Sequence, residues 1–349
     1  MKIIKQIRGL SYAIMSVLFL CAGIFFAVLA LNGCSKKDDN KVTTKKVKLD
    51  TGEISEASIV MSVGGVGVEY REMRNYCYLL KCQYEKSFGK NLWNYSVGEG
   101  TIGDEVKQEI VNTITQMKVI EKTAQEQDIA LTPDEKDEAI QKAEKILKSA
   151  TAKDKENYFL TVQGMTELYE EHILANKMFY IATDEADTDI TDEEAKQISI
   201  QYLQIMTEGV DKNGTKISMN AATKKSAMLR IKHLKSSINK PSEFLDIAQQ
   251  NTDSTETELV IGRDTDKLEK AVVDAAFKLK KNEISGVITG ENGYYIVRCV
   301  NPNDEDATYA RKEEIIEERQ TKMFKEKYFA WLKNCDVQIS EGFWDEFTI

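Results

Sequence analysis

The sequence predicts an α+β protein in which a helical domain, assembled from the N- and C-terminal parts of the chain, carries a small α+β domain inserted between them. Three observations carry this expectation. Val106, Ile110, Ile114, Met117, Ile120 and Ala124 recur every three or four residues, which makes one apolar helical stripe. After residue 198 the texture changes: Ser199–Met206 (SIQYLQIM) alternates as a strand does, and strands return at Val287–Thr289 and Tyr294–Val300 after three helical stretches. The chain then ends on a lone helix, Thr308–Cys335, marked by Phe324, Tyr328, Phe329, Trp331 and Leu332. Alone it has too little core, so it is expected to pack back onto the first helical region.

The elements follow in order. Lys2, Lys5 and Arg8 open the chain, no acid precedes Asp38, and Ser11–Leu31 carries no charge. That is the pattern of a secretory signal. The tetrad Leu31-Asn32-Gly33-Cys34 resembles the lipobox of bacterial lipoproteins, which implies cleavage between Gly33 and Cys34 and a diacylglycerol on the Cys34 thiol. An uncleaved membrane anchor is the alternative, since about 20 apolar residues span a bilayer. Residues 1–33 are thus read as the signal peptide and 34–57, polar throughout, as a flexible tether. The first helical part spans 58–190. It opens with two short strands around Gly64-Gly65 and continues with helices over Glu69–Phe88 and Asp104–Gln127. Thr132-Pro133-Asp134-Glu135 is a capping box with proline at the first helical position, so a helix runs from there to about Ser149. Another starts near Asp154, with Tyr158, Val162, Met165, Leu168, Tyr169, Ile173 and Met178 on its inner face. The inserted domain spans 195–304 in the order β-α-α-α-β-β, and 305–349 is the returning C-terminal segment.

Composition narrows the function. The chain has 349 residues and a net charge of -10; without residues 1–33 it keeps 44 basic and 57 acidic residues, a net of -13. An acidic body argues against a nucleic-acid partner and against extended contact with anionic lipid. No GxxxxGK[ST], full GxGxxG, GxSxG or HExxH occurs, and two histidines, His172 and His233, are too few for a metal cluster or a histidine-based triad. No metal and no cofactor is expected. His172 and His233 read as packing or surface residues. Cys77, Cys82, Cys299 and Cys335 match no zinc or redox spacing and read as buried free thiols, with a Cys299–Cys335 disulfide left open.

The portion after the tether resembles the extracytoplasmic foldases of the SurA and PrsA type. Ile59–Arg71 is similar to their opening hairpin, and Ile110–Thr132 to their long helix and its "GI-x-LT" end. Phe244–Ala248, Asp274–Leu279 with Glu283-Ile284-Ser285, and Asn292–Val297 resemble three segments of the parvulin-type peptidyl-prolyl isomerase domain. The resemblance implies a SurA-N-like chaperone domain with an inserted parvulin-like domain. It also locates a pocket. The two histidines usual in active parvulins fall on Tyr202 and Tyr295, the Asp or Cys beside the proline on Ser254, and the apolar floor on Leu268 and Val272. Thr255–Gly262 replaces the family's Gly-Gly-Asp-Leu-Gly loop.

Prolyl isomerisation needs no covalent catalysis. Its barrier of about 18–20 kcal/mol comes from amide resonance, and an enzyme lowers it by binding the twisted amide more tightly than the planar one. Tyrosine hydroxyls can hydrogen-bond where imidazoles would, but Val272 lacks the ring that holds a proline. The leading expectation is a membrane-anchored, ATP-independent chaperone or foldase whose partners are unfolded or newly exported polypeptides. The alternatives are an active isomerase with a tyrosine-substituted pocket and a surface lipoprotein that binds a ligand or a cell-wall component. The oligomeric state stays open, a homodimer included.

Overall fold

The computed structural model describes residues 44–47, 54–97, 100–210, 216–341, 343 and 347. The residues read as a signal peptide, Gly33 and Cys34 included, and most of those read as a tether lie outside them. In chain order the elements are strands β1 (Thr44–Val47), β2 (Ile59–Val63) and β3 (Val66–Glu69), helix α1 (Tyr70–Phe88), and the two-residue strands β4 (Ser96–Val97) and β5 (Gly100–Thr101). Helices α2 (Ile102–Glu126), α3 (Pro133–Ser149), α4 (Ala152–Asn157), α5 (Val162–Ala182) and α6 (Asp192–Ala195) follow. Then come β6 (Ile198–Met206), β7 (Glu208–Val210), β8 (Lys216–Ser218), α7 (Ala221–Ser237), α8 (Phe244–Asn251), β9 (Glu258–Ile261) and α9 (Lys270–Ala276). The chain closes with β10 (Ile288–Thr289), β11 (Gly293–Asn301), α10 (Glu305–Leu332) and β12 (Val337–Ser340). These elements form two compact units, Met1–Ala186 with Gln320–Ile349, and Asp187–Arg319. Among the described residues, no helix is long and apolar enough to cross a membrane.

The first unit is helical, as its stripes require. All six residues of the predicted α2 stripe are buried. Thr132 caps α3 as expected: its hydroxyl accepts from the Glu135 N–H at 3.3 Å, and the Glu135 carboxylate accepts from the Thr132 N–H at 2.7 Å. The next helix differs from expectation because it is broken. Phe159 turns the backbone at φ 51°, and Thr161 caps a new start at Val162. The phase restarts there, so Val162 is 50% exposed while Met165, Leu168 and Met178 are buried. Gly64 and Gly65, at φ 56° and 88°, form the two-residue turn between β2 and β3 that only positive φ allows.

The C-terminal segment completes this unit's core. Phe324 and Tyr328 are fully buried, with the Phe324 ring 5.2 Å from that of Phe179. Strand β12 lies between β1 and β2 in the order β1-β12-β2-β3. This corrects the tether, because Thr44–Val47 pairs in parallel with β12 from Thr44↔Val337 to Val47↔Ser340. Without β1 this side of β12 would be an open edge, whose N–H and C=O groups any extended backbone can satisfy.

The second unit is a four-stranded antiparallel sheet in the order β10-β11-β6-β9. One face packs α7 and α8 through Leu203, Ile205, Ile231, Phe244 and Ile296. The other packs α9 through Ile200, Tyr202, Val272, Tyr295 and Val297. The mixed helix and strand content matches the predicted α+β class. Two details differ. Thr255–Gly262 holds a strand, β9, because its four residues pair with Ile198–Gln201, too short a run to alternate visibly. The charged first half of α10 also belongs here, where Ile315 packs with Ile190 and Ala195, and Arg311 pairs with Asp264 at 3.0 Å.

The helical unit also buries a charged cluster. Lys118 on α2 is 9% exposed; its ammonium lies 3.0 Å from Glu72 on α1, 3.4 Å from Glu121, and in close contact with Glu171 on α5. The Tyr76 hydroxyl donates to Glu171 at 2.5 Å. Three carboxylates against one cation leave excess negative charge in a dry place. Burial, followed by the Glu171 carboxylate, pushes Glu72 up to about 7 from 4.5 against the pull of Lys118. The native state therefore holds this proton more tightly than the unfolded chain does. Stability from Glu72 is present below about pH 4.5 and is lost as pH rises toward 7. Glu72→Gln removes that loss while Lys118 keeps two partners. We expect thermal scans to show the variant higher in Tm by about 2–4 °C at pH 8, with the gain vanishing at pH 4.5. A lower Tm at pH 8 contradicts the account.

Candidate functional site

The register of β6 against β11 builds the site. Tyr202 stands opposite Val297 and Gln204 opposite Tyr295. Because side chains alternate along a strand, Tyr202, Gln204, Tyr295 and Val297 share one face. Leu268 and Val272 close that face from α9 and the turn before it. Ser254 follows α8. The structure thus brings together all five residues of the pocket expected from the sequence: Tyr202, Ser254, Leu268, Val272 and Tyr295.

Their hydroxyls are spoken for. Tyr295 donates to the Glu269 carboxylate at 2.7 Å and accepts from Gln204 Nε2 at 2.8 Å. The Tyr202 hydroxyl lies 2.8 Å from Ser254 Oγ, with either as donor. Ser254 Oγ also accepts from the Glu256 N–H at 3.3 Å. A tyrosine hydroxyl has one proton and two lone pairs, so the Tyr202–Ser254 pair keeps acceptor capacity while Tyr295 has given away its only proton. The rings are buried, Tyr202 at 4% and Tyr295 at 3% exposure, and Val272 is fully buried. Ser254 alone of the five is half-buried at the rim. The two phenol rings pack into this face beside Leu268 and Val272.

Glu269 and Gln204 were not foreseen. Glu269 precedes α9, and its carboxylate accepts from the Asn292 N–H at 2.9 Å, from the Glu291 N–H in a short contact, and from Tyr295. Burial pulls this carboxyl up, but the donors from Tyr295, Asn292 and Glu291 outweigh it and hold it below its ordinary 4.5. Burial, then the bond to Glu269, drives the Tyr295 phenol far above its usual range. Gly290 is needed beside them, because a Cβ there would collide with the Glu269 carboxylate. The Gly-Glu-Asn-Gly turn is legible in the sequence, but nothing local ties it to a glutamate more than twenty residues earlier.

Elsewhere the expected residues fall where packing puts them. His172 lies in the helical unit with its ring 5.9 Å from that of Tyr76, and burial pushes it down to about 4. His233 is exposed on α7. Cys77, Cys82, Cys299 and Cys335 are free thiols. Among the described residues, no three His, Cys, Asp or Glu side chains gather to hold a metal.

Two family models match this chain. Residues 3–179 match the SurA-like N-terminal domain, and residues 214–310 match the PPIC-type PPIase domain. The chain belongs to the SurA/PrsA-type foldase family. The second match takes in Ser254, Leu268, Val272 and Tyr295 but begins after the strand that carries Tyr202. A curated family relative, foldase protein PrsA of Staphylococcus aureus, is 27% identical over 212 residues, 57% of this chain. The chain spans 64% of that relative's length. A PrsA structure from Bacillus cereus aligns at 14% identity and TM-score 0.34 over 80% of this chain and 93% of that one. One from Streptococcus pneumoniae aligns at 17% and 0.32 over 79% and 93%.

If Glu269 is the anchor of this face, its removal must cost stability. Its lowered value means that the contribution is present above about pH 4.5 and is lost as pH falls through the folded-state value. Glu269→Gln is expected to cost about 1–2 kcal/mol at pH 7 after allowance for solvent screening. Urea unfolding should show the deficit shrinking toward pH 3. An equal deficit at both pH values would point to lost shape rather than lost charge.

Proposed function

We propose that this chain is a membrane-anchored, ATP-independent chaperone of exported polypeptides, in which the parvulin-like unit serves as a binding module rather than as an isomerase. The observation that carries this reading is the commitment of the tyrosine face. Tyr295 has spent its proton on Glu269, both rings are buried, and no aromatic floor replaces Val272. Catalysis of prolyl rotation requires contacts that strengthen as the amide twists. A face already filled by its own side chains has little to offer the twisted state. The helical unit supplies the family's chaperone domain, and a basic, apolar leader ending at Gly33-Cys34 supports export and lipid attachment. Two acyl chains suffice for stable anchoring.

A second reading keeps one observation in its favour. Ser254 is half-buried beside Tyr202, and the pair retains acceptor capacity, so an isomerase could act through these two hydroxyls.

Two experiments separate the readings. The chain from Ser35 onward is expected to suppress aggregation of a denatured model protein at stoichiometric amounts; no suppression removes the chaperone. In a proline tetrapeptide assay it is expected to leave the uncatalysed rate unchanged. A clear acceleration, lost in Tyr202→Phe with Tyr295→Phe, would establish the isomerase instead. For the anchor, Cys34→Ala is expected to abolish incorporation of labelled fatty acid in a bacterial host. Retained label at position 34 variants would exclude this cysteine as the lipid site.

A further inference from the structure

The helical unit contains a cleft of about 620 Å³ that the tyrosine face does not explain. Its apolar lining includes Ile129, Leu131, Leu168 and Leu174. Around these stand six carboxylates, Glu69, Glu72, Glu121, Glu167, Glu170 and Glu171, against three cations, Arg71, Lys118 and Lys136. The volume lies in the range of sites that take a small molecule or a few residues of an extended chain. An acidic lining alone would be a solvated surface, but one buried acceptor here has no hydrogen-bond partner.

Asn75 is 1% exposed and lines the cleft. Its Nδ2 donates inward, to the Arg71 carbonyl at 2.8 Å and the Tyr158 carbonyl at 2.9 Å. Those two bonds fix the amide's orientation and leave Oδ1 without a hydrogen-bond partner. Oδ1 faces Gly164 in the opposite wall, where a Cβ would stand only 2.8 Å from it. Only glycine at this point of α5 lets the two helices come so close without a clash. Buried acceptors without donors are costly and rare in native proteins. Glu72 beside it is already paired with the Lys118 ammonium at 3.0 Å. The Asn75 acceptor asks for an N–H group, and the surplus of carboxylates asks for positive charge.

We infer that this cleft docks an arginine or lysine side chain of a client polypeptide, with the apolar residues beside that side chain resting on the leucine and isoleucine lining. Asn75 supplies an acceptor, Glu167 and Glu170 supply charge near the mouth, and the long aliphatic stem of the client residue covers Leu168 and Leu174. Arginine fits best, because its guanidinium offers five donors in a fixed plane and sheds water more readily than an ammonium. The inference rests on the chaperone reading and names the segments such a chaperone would hold, basic residues flanked by apolar ones.

Fluorescence anisotropy with the full chain in detergent tests it. The probe is a short labelled apolar peptide with one central arginine, compared with the same peptide carrying norleucine there. The arginine peptide is expected to bind about tenfold more tightly. Glu170→Lys and Glu167→Gln, made separately and checked for unchanged Tm, are expected to weaken the arginine peptide severalfold and to leave the norleucine peptide unchanged. A photoreactive group next to the arginine should label α5 or α2. Equal affinity for the two peptides, indifference to both substitutions, or label confined to Ile198–Asn301 overturns the inference. The aggregation assay is read on the same preparations. If suppression persists while these arms fail, the cleft is wrong and the chaperone stands; if suppression fails as well, both fall.

Discussion

The helical unit cannot close without the last part of the chain. Strand β12 sits between β1 and β2, and the rings of Phe324 and Tyr328 fill the space beside Phe179. Take these away and the sheet loses its middle strand while α5 loses a fully buried aromatic partner. This one closure dictates the topology: whatever lies between Ala186 and Gln320 must leave the helical unit and return to it. The entropic cost of holding a long insertion at its two ends grows only slowly, by about 0.6 kcal/mol for each doubling of length. A whole domain can therefore be carried at that point, provided it folds on its own core. The second unit meets this condition, since its sheet is covered by side chains on both faces.

The same reasoning explains why the tyrosine face is rigid. A sheet buried on both sides permits no slip in register, because a shift by one residue would exchange the two faces. With β6 and β11 locked, Gln204, Tyr295 and Glu269 become a chain of donors and acceptors ending on two backbone N–H groups of the 290–293 turn. An imidazole at 295 could titrate near neutral pH and change partners. A phenol hydrogen-bonded to a carboxylate in a dry site does neither. Tyr295, hydrogen-bonded to Glu269 and Gln204, is thus a structural joint of this face.

Much of this architecture is legible in the sequence because it depends on local pattern. The α2 stripe, the Thr132 capping box and the alternation of Ser199–Met206 each report a period or a cap within a few residues, and each corresponds to an element in the structure. What is not legible depends on distant partners. Strand β1 exists because β12 has an edge to offer, and β9 because β6 does; neither run is long enough to declare itself. The break at Phe159 rests on a positive φ at a residue that seldom adopts one. The five residues picked out by likeness to a family pattern lie together in the structure, whereas Glu269, which decides what Tyr295 can do, has no such signal. It belongs to no motif, and its partners lie more than twenty residues away.

The charge of the chain bears on how clients would be chosen. A net charge of -13 beyond residue 33 attracts cationic segments, but salt at physiological strength screens such attraction beyond about 8 Å. Long-range steering can then speed encounter without selecting among clients. Selection has to come from contacts made inside that distance, where water is excluded and acceptors are fixed. The cleft beside Lys118 holds its acceptors at fixed positions, and it does so at a cost, because like charges crowd around one buried ammonium. A purely structural cluster would gain by losing a carboxylate. A visiting cation would supply, for as long as it stays, the charge that the protein itself leaves unbalanced.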